Sequence, residues 1–85
     1  MSKSAEYIGE LRNLIKEKAQ EKGLKILKVG STLKLIKDGD TVMNISDKGD
    51  FVELSFKGHK YTYDKWYTKP EHLASTIKQV LDHQL

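Results

Sequence analysis

The chain has 85 residues, of which 38% are hydrophobic and 32% charged, and it contains no cysteine. This length predicts a single domain spanning residues 1–85, and the absence of cysteine excludes disulfides, cysteine-ligated zinc sites and thiol nucleophiles. The net charge is +3, but Arg12 is the one arginine among 15 basic residues, and arginine is the side chain best suited to bidentate contacts with bases and phosphates. The charge alone therefore argues only weakly for nucleic acid as a partner.

No targeting segment or membrane span is evident in the sequence. The first six residues, Met-Ser-Lys-Ser-Ala-Glu, lack the apolar core of a secretory signal. No apolar run approaches the ~18 residues that cross a bilayer. We therefore expect a cytoplasmic protein that does not associate with a membrane.

Residues 4–22 are predicted to form an amphipathic helix. Apolar residues recur at helical spacing from Ile8 to Ala19. Ser4 is a suitable N-cap, and Gly23 is a suitable residue for ending the helix in the left-handed conformation.

The middle of the chain, residues 24–66, is predicted to form four to five short strands separated by turns that contain glycine. The predicted strands cover residues 24–29, 32–36, 41–46, 51–56 and 59–66. Their short connections favour an antiparallel meander over βαβ units. The connection at 37–39 is expected to be a three-residue loop with Gly39 in the left-handed conformation.

Residues 69–84 are predicted to form a second helix, whose apolar face includes Leu73 and Ile77. Thr68 and Glu71 fit a capping box, and Pro70 falls where a missing N–H is harmless. Together these elements predict an α+β fold: an N-terminal helix, an antiparallel meander and a C-terminal helix, with both helices packed on one face of the sheet.

The turn at 57–58 predicts which side chains share the covered face of the sheet. A two-residue turn there pairs residue 56 with 59, 54 with 61 and 52 with 63, and paired residues lie on the same face. Loops at 47–50 and 37–39 add Met43, Ile45, Leu33 and Leu35 to that face. We therefore expect the side chains of residues 61 and 63, both tyrosines, to lie mainly in the core.

The opposite, open face of the sheet is predicted to carry the binding residues. Ile36, Val42 and Phe51 are expected to form a small apolar island there, with lysines beside them. Trp66 and Tyr67 follow the last strand, where tryptophan either closes the core or contacts a partner. The candidate binding residues are Lys34, Ile36, Val42, Phe51, Lys60, Trp66 and Tyr67.

No pattern in the sequence indicates catalysis, a metal or a cofactor. The three histidines, His59, His72 and His83, lack the close spacing of zinc ligands. Acidic residues at 38–40 and 47–50 resemble fragments of calcium loops but lack the closing glutamate. We therefore predict that the protein is not an enzyme and binds no cofactor or metal.

Two functions from different classes fit these features. The favoured one is a protein-interaction regulator or inhibitor, because apolar and aromatic residues within a polar rim are typical of interfaces. The alternative is a single-stranded nucleic-acid-binding protein, in which lysines hold phosphates and aromatic side chains stack on bases. Glu53 and Asp64 on the same face argue against this alternative.

An edge of the sheet offers a further mode of association. Either 24–29 or 59–66 is expected at an edge, and an unpaired edge strand can pair with its copy in a second chain. Lysines at 25, 28 and 60 oppose such pairing. A homodimer through an edge strand is therefore compatible with the sequence without being indicated by it.

Overall fold

The computed structural model describes the backbone of residues 3–84 and the side chains of residues 7–84. The elements, in chain order, are α1 Lys3–Glu21, β1 Lys25–Val29, β2 Thr32–Lys37, β3 Asp40–Asp47, β4 Phe51–Phe56, β5 His59–Asp64 and α2 Pro70–Gln84. The predicted α+β fold, with both helices against one face of an antiparallel sheet, is confirmed. The predicted N-cap of α1, Ser4, lies outside the side chains that the structure describes.

The five strands lie side by side in chain order, and each neighbouring pair is antiparallel. β1 and β5 are therefore the two edges of the sheet. The predicted register between β4 and β5 is confirmed, with residue 56 opposite 59, 54 opposite 61 and 52 opposite 63. We call the side covered by α1 and α2 the helix face and the other side the open face.

The connection between β2 and β3 differs from the predicted three-residue loop. Asp38 and Gly39 form a two-residue turn with φ values of 52° and 85°, as in a type I′ turn. Such a turn alone would pair Leu35 with Val42, and the apolar residues of the two strands would then lie on opposite faces. A bulge instead brings Leu35 opposite Met43 and keeps both on the helix face.

The core lies between the helix face and the two helices. α1 contributes Ile8, Leu11, Ile15 and Ala19, which are fully buried, and each large aliphatic side chain stabilises the fold by about 1.5–3 kcal/mol relative to exposure. The other core residues come from the start of the described part of α1, from the connection after α1, from β2, β3 and β4, and from α2: Tyr7, Leu24, Leu33, Leu35, Met43, Ile45, Val52, Leu54, Phe56, Leu73, Ala74, Ile77 and Leu81.

The two helices lie beside each other and run in the same direction. Near their N-terminal ends, the Tyr7 hydroxyl donates a hydrogen bond of 2.6 Å to the carbonyl of Thr68. Near their C-terminal ends, Nζ of Lys18 lies 3.0 Å from Oδ1 of Asp82. α1 also contacts β1, β2 and β3, so α1 covers the first half of the sheet.

α2 begins one residue later than the capping box predicts. The carbonyl of Lys69 accepts a hydrogen bond of 3.1 Å from the N–H of Leu73, which makes Lys69 the N-cap. Pro70 is then the first helical residue, the position at which proline is favoured. The carbonyl of Thr68 accepts the hydrogen bond from Tyr7 instead.

The prediction that Tyr61 lies mainly in the core is wrong. Tyr61 is on the helix face, opposite Leu54, as its register requires, but it is 47% exposed. The reason is that the helix layer does not reach across the whole of β5. Tyr63, two residues further along, is partly buried and packs against the core.

Candidate functional site

The predicted apolar island on the open face is not continuous. Ile36 lies beside the turn at 38–39, whereas Phe51 begins β4 at the opposite end of the sheet. Met43, the neighbour of Val42, pairs with residue 56, five residues along β4 from Phe51, a separation of roughly 17 Å. Val42 is itself partly buried and packs against the core. Ile36, Val42 and Phe51 therefore do not form one contact surface.

The two predicted lysines of the open face lie on one row across the sheet. Lys34 pairs with Asn44, Asn44 with Ser55, and Ser55 with Lys60. Lys34 is partly buried and Lys60 is exposed. The row between them is polar and uncharged, so the lysines are separated charges and do not form a concentrated basic patch.

Among the described residues of the open face, Phe51 is the exposed aromatic side chain. Asp64 lies directly opposite it on β5, and Glu53 is two residues along β4 on the same face. Two carboxylates next to Phe51 would repel the phosphates of a nucleic acid whose base stacked on this ring.

The most exposed aromatic side chains lie in the connection between β5 and α2. Trp66 is 79% exposed and Tyr67 is 84% exposed, so the structure places Trp66 outside the core. We call residues 64–68 the aromatic turn. A large aromatic side chain buries roughly 150–250 Å² when it packs in a protein. Here most of that area faces solvent.

Asp64, the first residue of the aromatic turn, holds the backbone of the turn through both its side chain and its carbonyl. The Asp64 side chain accepts a hydrogen bond of 2.7 Å from the N–H of Trp66, and its carbonyl accepts one of 2.8 Å from the N–H of Thr68. The N–H of Lys65 donates to the carbonyl of Asp50 over 3.2 Å, which ties the turn to the loop before β4. These bonds give the two aromatic side chains a defined backbone.

The residue between Asp64 and Trp66 anchors the aromatic turn from inside the protein. Nζ of Lys65 lies 2.8 Å and 3.0 Å from the two carboxylate oxygens of Asp47, whose side chain is fully buried. Oδ1 of Asp47 also accepts a hydrogen bond of 2.9 Å from the N–H of Gly49. The buried Asp47 carboxylate is therefore paired with the largely buried Lys65 and hydrogen-bonded, as burial of charge requires.

Tyr7 of α1 completes this anchor. Nζ of Lys65 lies 5.4 Å from the centroid of the Tyr7 ring, within the range of a cation–π contact. Burial, and then the charges of Asp47 and Glu71, raise the pKa of Tyr7 to about 12. The phenol thus stays protonated and can donate its hydrogen bond to the aromatic turn at any physiological pH.

A second surface lies on the helix face, where α2 leaves β5 uncovered. It is a groove of about 490 Å³ whose floor includes Phe56, Tyr61 and Tyr63 and whose wall includes Thr76 and Val80. Burial, and then the neighbouring Tyr61, raise the pKa of Tyr63. Lys57 bridges one end, where its Nζ lies 3.4 Å from Oε1 of Gln84.

Within residues 7–84, no three histidine, aspartate or glutamate side chains lie close enough together to hold a metal ion. Neither helix, over its described residues, is long and apolar enough to span a membrane.

Two features were not among the predicted site residues. The ion pair between Asp47 and Lys65 joins residues 18 apart, and their spacing carries no recognisable motif. Leu27 and Val29 of β1 are exposed on the open face, opposite Lys34 and Thr32. The two-residue turn at 30–31 was a usable signal for them, because it fixes this register once the first strand is recognised.

Comparisons with known proteins give no external guide to this site. No protein-family model, no curated protein and no solved structure matches the chain.

Proposed function

We propose that this protein is a small non-enzymatic binding module that regulates or inhibits another protein by binding it. The aromatic turn would be the main contact, with Phe51 beside it at the same corner of the open face. The observation that carries the proposal is the exposure of Trp66 and Tyr67 on a backbone that a buried ion pair holds in place.

The energetics of interfaces support this choice of surface. Tryptophan and tyrosine contribute most often to binding hot spots, where a few residues supply most of the affinity. A backbone that is ordered before binding reduces the entropy lost on association. Trp66 and Tyr67 are adjacent and both exposed, so a partner that covered them would remove a large aromatic surface from water.

The charges around the aromatic turn favour a protein over a polyanion. Asp50 and Asp64 lie within the turn and its adjoining loop, and Glu53 and Glu71 lie nearby along the chain. Lys48 and Lys69 are interspersed with them. A surface of mixed sign suits the polar rim of a protein interface.

The test is a quantitative affinity capture from a lysate of the source organism with three matched baits. The baits are the wild-type protein, the double variant Trp66→Ala/Tyr67→Ala, and Tyr61→Ala, which removes a half-exposed aromatic residue elsewhere. We expect a partner that is retained by wild type and by Tyr61→Ala and lost with the double variant. With the purified partner, the double variant should bind at least about tenfold more weakly. Equal capture by all three baits would contradict the proposal.

Single-stranded nucleic acid is a second candidate, favoured by the exposed Trp66 as a stacking residue, with Lys69 three positions further along the chain to contact a phosphate. Trp66 is the one tryptophan in the chain, so its fluorescence reports directly on base stacking. Titration with oligo(dT) below ~50 mM salt should quench this fluorescence if bases stack on Trp66, and added salt should reverse the quenching. Unchanged fluorescence and no binding at low salt would eliminate this candidate.

A further inference from the structure

The edge strand β1 exposes two aliphatic side chains on the open face of the sheet. Leu27 is 49% exposed and Val29 is 54% exposed, and both lie on the open face next to Lys34 and Thr32. Ile26, on the helix face, is partly buried. Natural edge strands usually carry charges or bulges that prevent pairing with another chain. β1 carries Lys25 and Lys28, but it has no bulge and a regular register along its whole length.

The hydrogen-bonding pattern of β1 follows from its turn. Val29 pairs with Thr32 across the two-residue turn at 30–31, and in such a hairpin the pair that flanks the turn is hydrogen-bonded. Leu27 and Lys25 are then also bonded to β2. The N–H and C=O groups of Ile26 and Lys28 therefore point outward from the sheet.

We propose that the protein forms a two-fold symmetric homodimer by antiparallel pairing of β1 with β1 of a second copy, centred on Leu27. In this register Leu27 faces its copy, Ile26 faces Lys28 and Lys25 faces Val29. The outward groups of Ile26 and Lys28 form the hydrogen bonds between the chains, and the Leu27 pair lies at a non-hydrogen-bonded position, where side chains approach most closely. All five residues of β1 find a partner.

The neighbouring registers are less favourable. Centring the axis on Lys28 would place two lysines directly opposite each other, which is destabilising. Centring it on Ile26 would leave Lys28 and Val29 opposite residues 23–24, which precede the strand, and Leu24 is already buried in the core. The lysines of β1 thus select one register and do not prevent pairing altogether.

The opposite edge is a poorer site for self-association. On the open face β5 carries Lys60, Thr62 and Asp64, so pairing there would bury no aliphatic side chain on that face. Its helix face carries Tyr61, which lines the groove beside α2. Pairing through β1 instead brings Leu27 and Val29 of both copies together on one face.

The dimer goes beyond the proposed function because it uses a different surface. A two-fold axis perpendicular to the sheet at Leu27 joins five strands from each copy into one sheet and keeps all the helices on one side. The aromatic turn follows β5, at the far edge. The dimer would therefore carry two aromatic turns at its outer ends, which suits bivalent binding.

The first test measures the mass of the protein in solution as a function of concentration. By sedimentation equilibrium the wild-type protein should reach twice the monomer mass of 9.7 kDa as concentration rises. Leu27→Lys should remain monomeric over the same range, and Thr62→Lys, which adds the same charge to the other edge, should dimerise like wild type. Circular dichroism checks that each variant is folded. A monomer at every concentration, or a Leu27→Lys variant that dimerises normally, would overturn the proposal.

The second test exploits the absence of cysteine from the chain. Cα atoms at a non-hydrogen-bonded antiparallel pair lie about 4.5 Å apart, within the range that a disulfide bridges. Leu27→Cys should therefore cross-link into a dimer under mild oxidation, in much higher yield than Tyr61→Cys at the other edge. Preferential cross-linking of Tyr61→Cys would place the dimer at β5 and refute pairing through β1. If the wild-type protein dimerises through β1 but captures no partner whose retention depends on Trp66 and Tyr67, the proposed function alone is refuted.

Discussion

The two ends of the molecule are held together in different ways. At one end, which we call the ion-pair end, both helices begin, and the buried pair of Asp47 and Lys65 joins β3 to the aromatic turn. At the other, the hairpin end, lie the two-residue turns at 38–39 and 57–58, in which all four residues have positive φ. The ion pair between Lys18 and Asp82 is at the hairpin end and is partly exposed.

The conformation of the hairpin end is set by neighbouring residues, whereas that of the ion-pair end is set by contacts between residues distant in sequence. The turns of the hairpin end need only residues that tolerate positive φ, so their geometry is encoded over a few positions. The aromatic turn depends on Tyr7 and Asp47, which are distant in sequence. The residues that hold Trp66 and Tyr67 in place thus come from α1, β3 and the aromatic turn itself. A substitution of Tyr7, Asp47 or Lys65 should therefore disturb the turn.

The largest expected effect comes from breaking the buried ion pair. Lys65→Met should lower the free energy of unfolding by about 3 kcal/mol, because it leaves the Asp47 carboxylate buried without a counter-charge. Urea denaturation followed by far-UV circular dichroism measures this change. Lys69→Met, at an exposed lysine of the same connection, should stay within about 0.5 kcal/mol of wild type.

A second substitution shows whether charge is the cause. In Asp47→Asn/Lys65→Met the amide oxygen can still accept the hydrogen bond from Gly49, but no buried charge remains. This double variant should recover a substantial part of the stability lost in Lys65→Met. If it is less stable than Lys65→Met alone, the account of an unpaired buried charge is wrong.

Tyr7→Phe tests the tie between α1 and the aromatic turn. Loss of the hydrogen bond to Thr68 should cost about 1 kcal/mol. The pKa of Tyr7 in the folded protein is raised to about 12, whereas the pKa of a tyrosine in the unfolded chain is about 10. The stabilisation by the protonated Tyr7 side chain is therefore complete below about pH 10 and is lost as the pH rises from about 10 to 12. Stability curves of wild type and Tyr7→Phe should therefore converge over this range. The control Tyr67→Phe should leave the curve unchanged, and parallel curves for Tyr7→Phe would contradict the assignment.

Lys18→Met should have a much smaller effect than Lys65→Met, because the pair at the hairpin end is exposed to solvent. The hydrogen bond from Lys18 lowers the pKa of Asp82, so this contribution is present at neutral pH and is lost as the pH falls below about 4. The hydrogen bond to Asp82 in turn raises the pKa of Lys18, and the same contribution is lost at strongly alkaline pH. About 1 M salt should remove most of the difference from wild type, as shown by urea midpoints.

The smallest expected effect on stability is that of Trp66→Ala. Because the side chain is almost fully exposed, the free energy of unfolding should change by less than about 0.5 kcal/mol in urea titrations followed by circular dichroism. A loss of several kcal/mol would mean that Trp66 supports the fold, and the effect of this variant on binding could then not be assigned to a contact.

Most of the fold follows from features that act over a few residues. The two-residue turn at 57–58 fixes the register of β4 and β5, and strand alternation then assigns their faces. The bulge at Val42 could not be predicted, because the loop at 37–39 was expected to have three residues and needs no bulge to bring Leu35 onto the helix face. The predicted loop is one residue too long and the predicted strand lacks the bulge. These two errors cancel, so the predicted faces of Leu33, Leu35, Met43 and Ile45 are nevertheless correct.

The candidate site could be predicted only in part. Alternation places Tyr61 on the helix face, but it does not reveal how far the helix layer extends, which depends on how α1 and α2 pack together. Ile36 and Phe51 are correctly assigned to one face, yet the register places them at opposite ends of it. Trp66 is exposed beside Lys65, which is anchored to Asp47 by a long-range contact that no local pattern encodes.

The strand order has a consequence for how the chain folds. Each strand pairs with the strand next to it in sequence, so the sheet can be assembled hairpin by hairpin with short loop closures. The contacts that close the chain are those between the helices, where Tyr7 meets a residue 61 positions away and Lys18 one 64 positions away. We expect α2 to dock late, both in refolding and during synthesis from the N-terminus. Until it does, part of the apolar helix face has no cover, and the growing chain is most prone to aggregation at that stage.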